Sequence, residues 1–423
     1  MKILLRSALI VDKNSSHNGK RTDILIEGGE IVQIKSGIKT DDKIKVVEKA
    51  NLHVSPGWMD MQADFCDPGY EHKEDIESGI SAAANGGFTA VAIMPSTNPP
   101  LHSKSQIEYV KNKAKGALVD VYPLGSLSHK LEGKDLSEMY DMKLAGAVAF
   151  TDDKKPVADS GLVLRALQYA ENIGSVVVLH HNEISISNGG QINEGEQSTL
   201  LGLKGIPALA EELMLERNLS ILSYTGGRMH VATVSSKRSV ELIREAKSKG
   251  LNVTAGVSVN NLYMDEGKLK DFDTNYKLDP PLRTREDIEA LKKGLSNGTI
   301  DVVVSDHRPH DIESKDLEFD LASFGSTGIE TAYSALQTSI GKRISIEDLV
   351  ELLSVNPRKI LSLPIPVIEE GNKANLTLFD PALAWKVNSN HFQSKSINSP
   401  LLGADLTGKV IGVIKGSQLF LVK

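Results

Sequence analysis

At the start of the chain, apolar and polar positions alternate in short runs, KILLRSALIVD and then DILIEGGEIVQI. A period of two predicts β-strands, with a hairpin turn at Gly28-Gly29. The end of the chain repeats the pattern in ANLTLFD, KVIGVIKG and SQLFLVK. Between these regions the pattern changes. Apolar strand-like runs end near Asp60, Met94, Gly125, Phe150, His180, Ser223, Gly256 and Asp306, and helical segments over 74–85, 103–115, 161–172, 208–217, 236–249 and 285–295 follow most of them. Strands alternating with helices imply a parallel sheet with helical crossovers. A series of this length predicts an α/β fold closed as a (β/α)8 TIM barrel, with its chemistry at the C-terminal strand ends. The barrel is expected over 54–365. Residues 1–53 and 366–423 have no barrel position left and are expected to pair as a composite β domain, a small β-sandwich formed by both termini. The Pro-containing stretch 361–367 marks the second boundary.

Composition narrows the function. The 423 residues carry 48 Lys+Arg against 55 Asp+Glu, a net charge of −7, which lacks the basic footprint of a nucleic-acid binder. Arg6 interrupts the first apolar run and Asp12 ends it, so the run reads as a strand and not as a secretion signal. No uncharged apolar stretch reaches the roughly 18 residues needed to span a membrane. Cys66 is the single cysteine and cannot form an internal disulfide. A cytoplasmic, reducing location is the expectation.

The strand ends carry a series of motifs: PGWMDMQADFCDPGYEHKEDIESGISAAANGGFTAVAIMPSTNPP from Pro56, AFTDDKKPV from Ala149, HHNEISISNGGQINEG from His180, MHVATVSSKRSVELIREA from Met229, FDTNYKLDPPLRTREDIEAL from Phe272 and VVVSDHRPH from Val302. In this order they resemble the type I dihydroorotases of the amidohydrolase superfamily, over essentially the whole chain. The resemblance implies an amidohydrolase-type barrel with a composite β domain, a zinc cofactor, a homodimer, and reversible ring closure of carbamoyl aspartate to dihydroorotate in pyrimidine biosynthesis.

Opening a cyclic amide requires an activated water, a Lewis acid for the carbonyl oxygen and a group that moves the proton. In the family the metal ligands are a His-x-His pair, an Asp in an Asp-Asp-Gly turn, two further His and an Asp that opens Asp-His-x-Pro-His. Here Gln62 and Asp64 stand at the His-x-His positions, and Thr233 stands where a histidine should precede Val-Ser, with His230 three residues earlier. Asp153 matches the turn aspartate, with Asp152 as the alternative, and His180 matches the next histidine, with His181 as the alternative. Asp306 matches the terminal aspartate, the family's catalytic general acid/base. Among substrate positions, Cys66 replaces the arginine that clamps a carboxylate and Asp279 replaces an asparagine, whereas Asn98 and His310 match. A thiol cannot imitate a bidentate guanidinium, so an anionic substrate should bind weakly.

The resulting set, Gln62, Asp64, Asp153, His180 and Asp306, is rich in oxygen and suits Mg²⁺ or Mn²⁺ better than Zn²⁺. The cofactor expectation is therefore none, or a weakly bound divalent metal. Without a metal the carboxylates would repel each other unless an internal cation joins them. Arg308 and Lys154 are the candidates. Cys66 as a nucleophile lacks an apparent partner base. His53, His72, His102, His129 and His391 read as loop or surface residues, and His307 as a packing residue. Asn188-Gly189-Gly190 reads as a turn and Asn85-Gly86-Gly87 as a helix end. The leading expectation is a dihydroorotase-family protein with a degraded zinc site and little or no hydrolase activity. Its role would be structural or regulatory, beside aspartate transcarbamoylase, because related non-catalytic members form a complex with that enzyme. The alternative is an active dihydroorotase, or another cyclic-amide hydrolase, with a carboxylate-rich metal site.

Overall fold

A computed structural model describes residues 2–422. The alternating runs at both ends meet in one eight-stranded sheet. Lys2–Ile10 pairs antiparallel with Arg21–Glu27, which turns back through Gly28 and Gly29, both at positive φ, into Glu30–Ile34. His53–Pro56 joins the two halves of the sheet. It runs parallel to Lys2–Ile10 on one side and antiparallel to Asn375–Lys386 on the other. Asp405–Lys415 and Gln418–Leu421 continue the sheet outward. Every second side chain turns inward, so Ile3, Leu5, Ile24, Ile26, Val54, Leu376, Leu378 and Ile414 form a core of their own. His53, expected at the surface, is instead buried in its strand with its ring against Phe379.

The central region is a ring of parallel strands: Trp58–Ala63, Phe88–Ile93, the interrupted pair Asp120–Pro123 and Gly125–Ser126, Phe150–Thr151, Val177–Leu179, Met229–Val231, Val253–Ser258 and Val302–Val304. The eighth strand returns to the first, where Asp64 N donates to His307 O at 2.8 Å and Ser305 Oγ donates to the buried Asp60 carboxylate. Small and branched residues such as Ala90, Ala92, Val178, Val302 and Val304 fill the interior. The opposite parity, including Val91, Val177, Val231 and Val303, packs against the helical layer. Helices cover the ring where the apolar spacing predicts them, for example Ile76–Asn85, capped by Asp75, and Arg285–Ser296, capped by Thr284.

One strand lies elsewhere than expected. The apolar run ending at Ser223 belongs to the helix Ala208–Thr225, and the sixth strand is Met229–Val231. Leu215, Leu219 and Leu222 recur at three- and four-residue spacing and are buried on one helix face, so the period of 3.6 prevails over the local strand-like composition.

Gly57 is the crossing point between sheet and barrel. A Cβ there would come within 2.1 Å of both Asn375 Oδ1 and Thr89 Oγ1, so no larger residue fits. The next side chain, Trp58, packs against Tyr333, Phe379 and Phe88 with ring centroids 4.6, 5.3 and 6.2 Å away. Between two of its C-terminal strands the chain leaves the sheet, and residues 387–404 lie across the barrel top. The buried Glu330 carboxylate accepts from the Gln393 and Ser394 backbone N–H groups at 2.8 and 3.1 Å. Glu74 accepts from Ser394 Oγ, and Ser396 Oγ donates to His310 O at 2.7 Å. Among the described residues no helix is long and apolar enough to cross a membrane.

Candidate active site

The C-terminal ends of the first, fourth and eighth strands converge at the barrel mouth. A register shift between Asp60 and Ala63 changes the parity of the first strand. Met59 and Met61 point into the barrel interior, while Ala63 and Phe65 pack outward, which leaves Gln62 and Asp64 facing the mouth. Asp153 and Asp306 take positive φ values of 56° and 50°, which lift their side chains off the strand direction and into the same space.

Two cations reach these carboxylates. Arg308 directs Nη2 to Asp153 Oδ1, and its Nη1 lies 3.9 Å from Asp64 Oδ2. Lys154 Nζ lies 3.1 Å from the Asp306 carboxylate and donates as well to the backbone carbonyl of Asp279. Both side chains therefore point inward, as the two internal-cation candidates should. The remaining oxygens have partners of their own: Ser96 Oγ donates to Asp153 Oδ2 at 2.7 Å, and Cys66 N donates to Asp64 Oδ1 at 2.8 Å. Gln62 differs from expectation. Instead of presenting its carbonyl oxygen to a metal, it donates through Nε2 to Asp306 Oδ1 at 2.6 Å, because an acceptor-only carboxylate sits opposite it.

The electrostatics follow this pairing. Burial would push Asp153 upward, but the Arg308 guanidinium outweighs it and holds the carboxyl below its ordinary range. Asp64 is pushed up by burial and by the charge of Asp153, and the more distant Arg308 offsets this only in part. Burial lowers Arg308, yet the surrounding carboxylates more than reverse that, so the guanidinium stays charged.

The other expected site residues occupy several places. Asp152 is turned away and anchors Ser128, whose backbone N–H it accepts at 2.8 Å, so Asp153 alone faces the mouth. His180 Nε2 lies 3.3 Å from Asp279 Oδ2. Burial pushes Asp279 up, but the neighbouring His180 outweighs it and keeps the carboxyl ionised. Thr233 Oγ1, His180 Nδ1 and both ring nitrogens of His181 are buried without a hydrogen-bond partner among the described residues. His230 is drawn into the interior, where Nδ1 meets Thr254 Oγ1 at 2.8 Å. Cys66 is buried, and that burial pushes its thiol well above the usual range, which suits packing and not nucleophilic attack.

Asn98 and His310 make no hydrogen bond to the four carboxylates among the described residues. Asn98 is exposed on the loop after the second strand. His310 is held by Phe324 O at 2.9 Å from Nε2, and burial lowers it to about 4. It lines a cavity of about 830 Å³ with Phe272, Lys315, Lys395 and Asn398. Gly325, at φ +122°, seats this loop against Arg308, because a Cβ there would lie 2.6 Å from the Arg308 Cβ. Two contributors escape a reading of the sequence: Ser96, which orients Asp153, and the buried Glu74, 3.6 Å from His307 Nε2. Ser96 lies inside the quoted MPSTNPP segment, but nothing in that segment says which hydroxyl turns inward.

Four carboxylates, Asp64, Asp153, Asp279 and Asp306, thus meet two basic side chains, Arg308 and Lys154. Such a mouth repels anions more than it attracts them. Zinc hydrolases make hydroxide at neutral pH on a cation held largely by imidazoles with an open position. Among the described residues no three His, Cys, Asp or Glu side chains converge so as to hold a metal ion.

Residues 52–239 match the family of dihydro-orotase-like proteins. A dihydroorotase of Ruminiclostridium cellulolyticum is 42% identical over 413 residues, 97% of this chain and 96% of that protein. A dihydroorotase of Syntrophus aciditrophicus is 40% identical over 97% of each chain. Among solved structures, an L-hydantoinase (dihydropyrimidinase) from Arthrobacter aurescens superposes with a TM-score of 0.85 at 25% identity, over 100% of this chain and 96% of that one. A D-hydantoinase structure, with a TM-score of 0.83 at 23% identity, shares the fold.

Proposed function

The chain belongs to the dihydroorotase family of amidohydrolases, and from that premise we propose that it serves pyrimidine biosynthesis without running the family's metal-dependent ring opening. One observation carries this reading: the carboxylates matching family ligands are already joined to Arg308 and Lys154. The residues present do not fit a zinc pair, because imidazole positions hold Gln62, Asp64 and Thr233 and the remaining carboxylates face internal cations. Asp306 is engaged by the Gln62 amide and the Lys154 ammonium in place of a metal-bound water. Cys66 and Asp279 stand where an anionic substrate would need an arginine and an uncharged amide.

A protein with this mouth acts through assembly. Its role in our reading is a structural or regulatory one beside aspartate transcarbamoylase, with the chain itself a homodimer. The support is analogy within the family, so the test must be direct. Purified without chelator, the protein should carry no stoichiometric metal and show no ring opening of dihydroorotate, with or without added Zn²⁺, Mn²⁺ or Mg²⁺. It should co-elute with aspartate transcarbamoylase from the same cell. Stoichiometric metal together with turnover abolished by Asp306→Asn would establish the second reading, an active cyclic-amide hydrolase. That reading has in its favour the relatives of about 40% identity named as dihydroorotases.

A further inference from the structure

The structure assigns Arg308 and Lys154 the structural place of the family's metal ions: they are built-in cations that hold the ends of separate barrel strands together at the mouth. The inference rests on the preceding reading that no metal pair assembles there, and it adds what does the work instead. Arg308 extends from the loop after the eighth strand and joins Asp153, after the fourth strand, to Asp64, after the first. Lys154, after the fourth strand, returns to Asp306 after the eighth and to the Asp279 carbonyl on a further loop. Two side chains thus cross-link three of the segments that carry the family's ligand positions, those after the first, fourth and eighth strands.

The site is built for them. Asp153 is only 2% exposed, and Asp64 and Arg308 are 13% and 17% exposed, so the charges are largely removed from water and need one another. Gly325 fixes the root of Arg308 by direct backbone approach. Ser96 occupies the Asp153 oxygen that Arg308 leaves, and Gln62 shares Asp306 Oδ1 with Lys154, whose ammonium reaches both oxygens of that carboxylate. A guanidinium keeps its charge at any ordinary pH and presents a planar fork, so one residue can face two carboxylates at once.

Removing Arg308 should leave Asp64 and Asp153 facing each other unneutralised. A divalent ion added from outside should then stabilise the variant although it does nothing for the parent. Thermal unfolding of the full chain, in chelator and in excess Mn²⁺ or Zn²⁺, tests this with no reference to activity. The parent should melt at the same temperature in both conditions. Arg308→Met should melt about 5 °C lower in chelator and regain part of that loss with metal. The double variant Arg308→Met/Asp153→Asn should melt above the single one and ignore metal, since a carboxylate is removed along with the cation. If the single variant does not fold, a folded double variant supports the assignment. Failure of both to fold, or a single variant that melts like the parent and ignores metal, overturns it. Stoichiometric metal in the parent would instead sink the functional reading and this inference with it, so the two failures are distinguishable.

Discussion

His230 shows what a surviving imidazole does in this barrel. Its ring is fully inside the interior and bonded to Thr254 Oγ1, and burial lowers its pKa to about 3. His181, also buried, is lowered to about 3 by desolvation and by its neighbour His180. In the unfolded chain each titrates near its ordinary value of 6.5. Below that pH the unfolded chain takes up protons that the folded chain refuses, so stability is fully present above pH 6.5 and is lost as pH falls towards 3. At pH 5 the loss is about 2 kcal/mol per histidine. His230→Gln should therefore be destabilised at pH 7.5 but lose about 2 kcal/mol less than the parent between pH 7.5 and 5, read from urea unfolding at both pH values. An equal pH dependence in both proteins would refute the assignment. At this scale the sequence was informative about identity and poor on orientation. That Gln62, Asp64, Asp153 and Asp306 share one barrel mouth was legible, as was the candidacy of Arg308 and Lys154. That Gln62 donates to Asp306 was not, since an amide offers both a donor and an acceptor and only the facing group selects one.

Elements with a long, regular period were easy to place, and elements set by tertiary packing were not. The helix Arg285–Ser296 carries its own cap and apolar face and lies where the pattern puts it. The run ending at Ser223 reads locally as strand, yet burial of Leu215, Leu219 and Leu222 against neighbouring elements extends one helix through it. The segment 387–404 has no period at all. What holds it are isolated acceptors on the barrel, chiefly Glu330, buried below Gln393 and Ser394. Glu330→Ala would leave those two backbone N–H groups unpaired, at a cost of about 1–3 kcal/mol each if they stay buried. The segment should respond by detaching and not by keeping them dry. Limited proteolysis of Glu330→Ala under native conditions should cut within 387–404 well before the parent is cut. Digestion matching the parent in site and rate would show that other contacts carry the segment.

Sheet and barrel are joined in a way that bears on the whole molecule. The sheet draws strands from both ends of the chain, and His53–Pro56 leads through Gly57 directly into the first barrel strand. Trp58 sits at that crossing with no solvent exposure, packed against Tyr333 of the barrel helix Ala332–Ile340 and Phe379 of the sheet. Arg358 Nη1 donates to the Gly57 carbonyl at 2.6 Å from the opposite side. The sheet keeps a core of its own, but its Phe379, Val410 and Val413 belong to the main core of the barrel, so the two units share an apolar interface. The expected consequence is a single cooperative heat-absorption peak for the full chain, with calorimetric and van't Hoff enthalpies in agreement. Trp58→Ala removes the largest side chain at the crossing and should cost about 3–5 kcal/mol. If coupling through this residue is what unites the units, the variant's transition should broaden or divide, with sheet and barrel melting apart. A uniformly shifted single peak would mean that the shared strand, not the aromatic cluster, couples them, and two peaks in the parent would defeat the cooperative picture altogether.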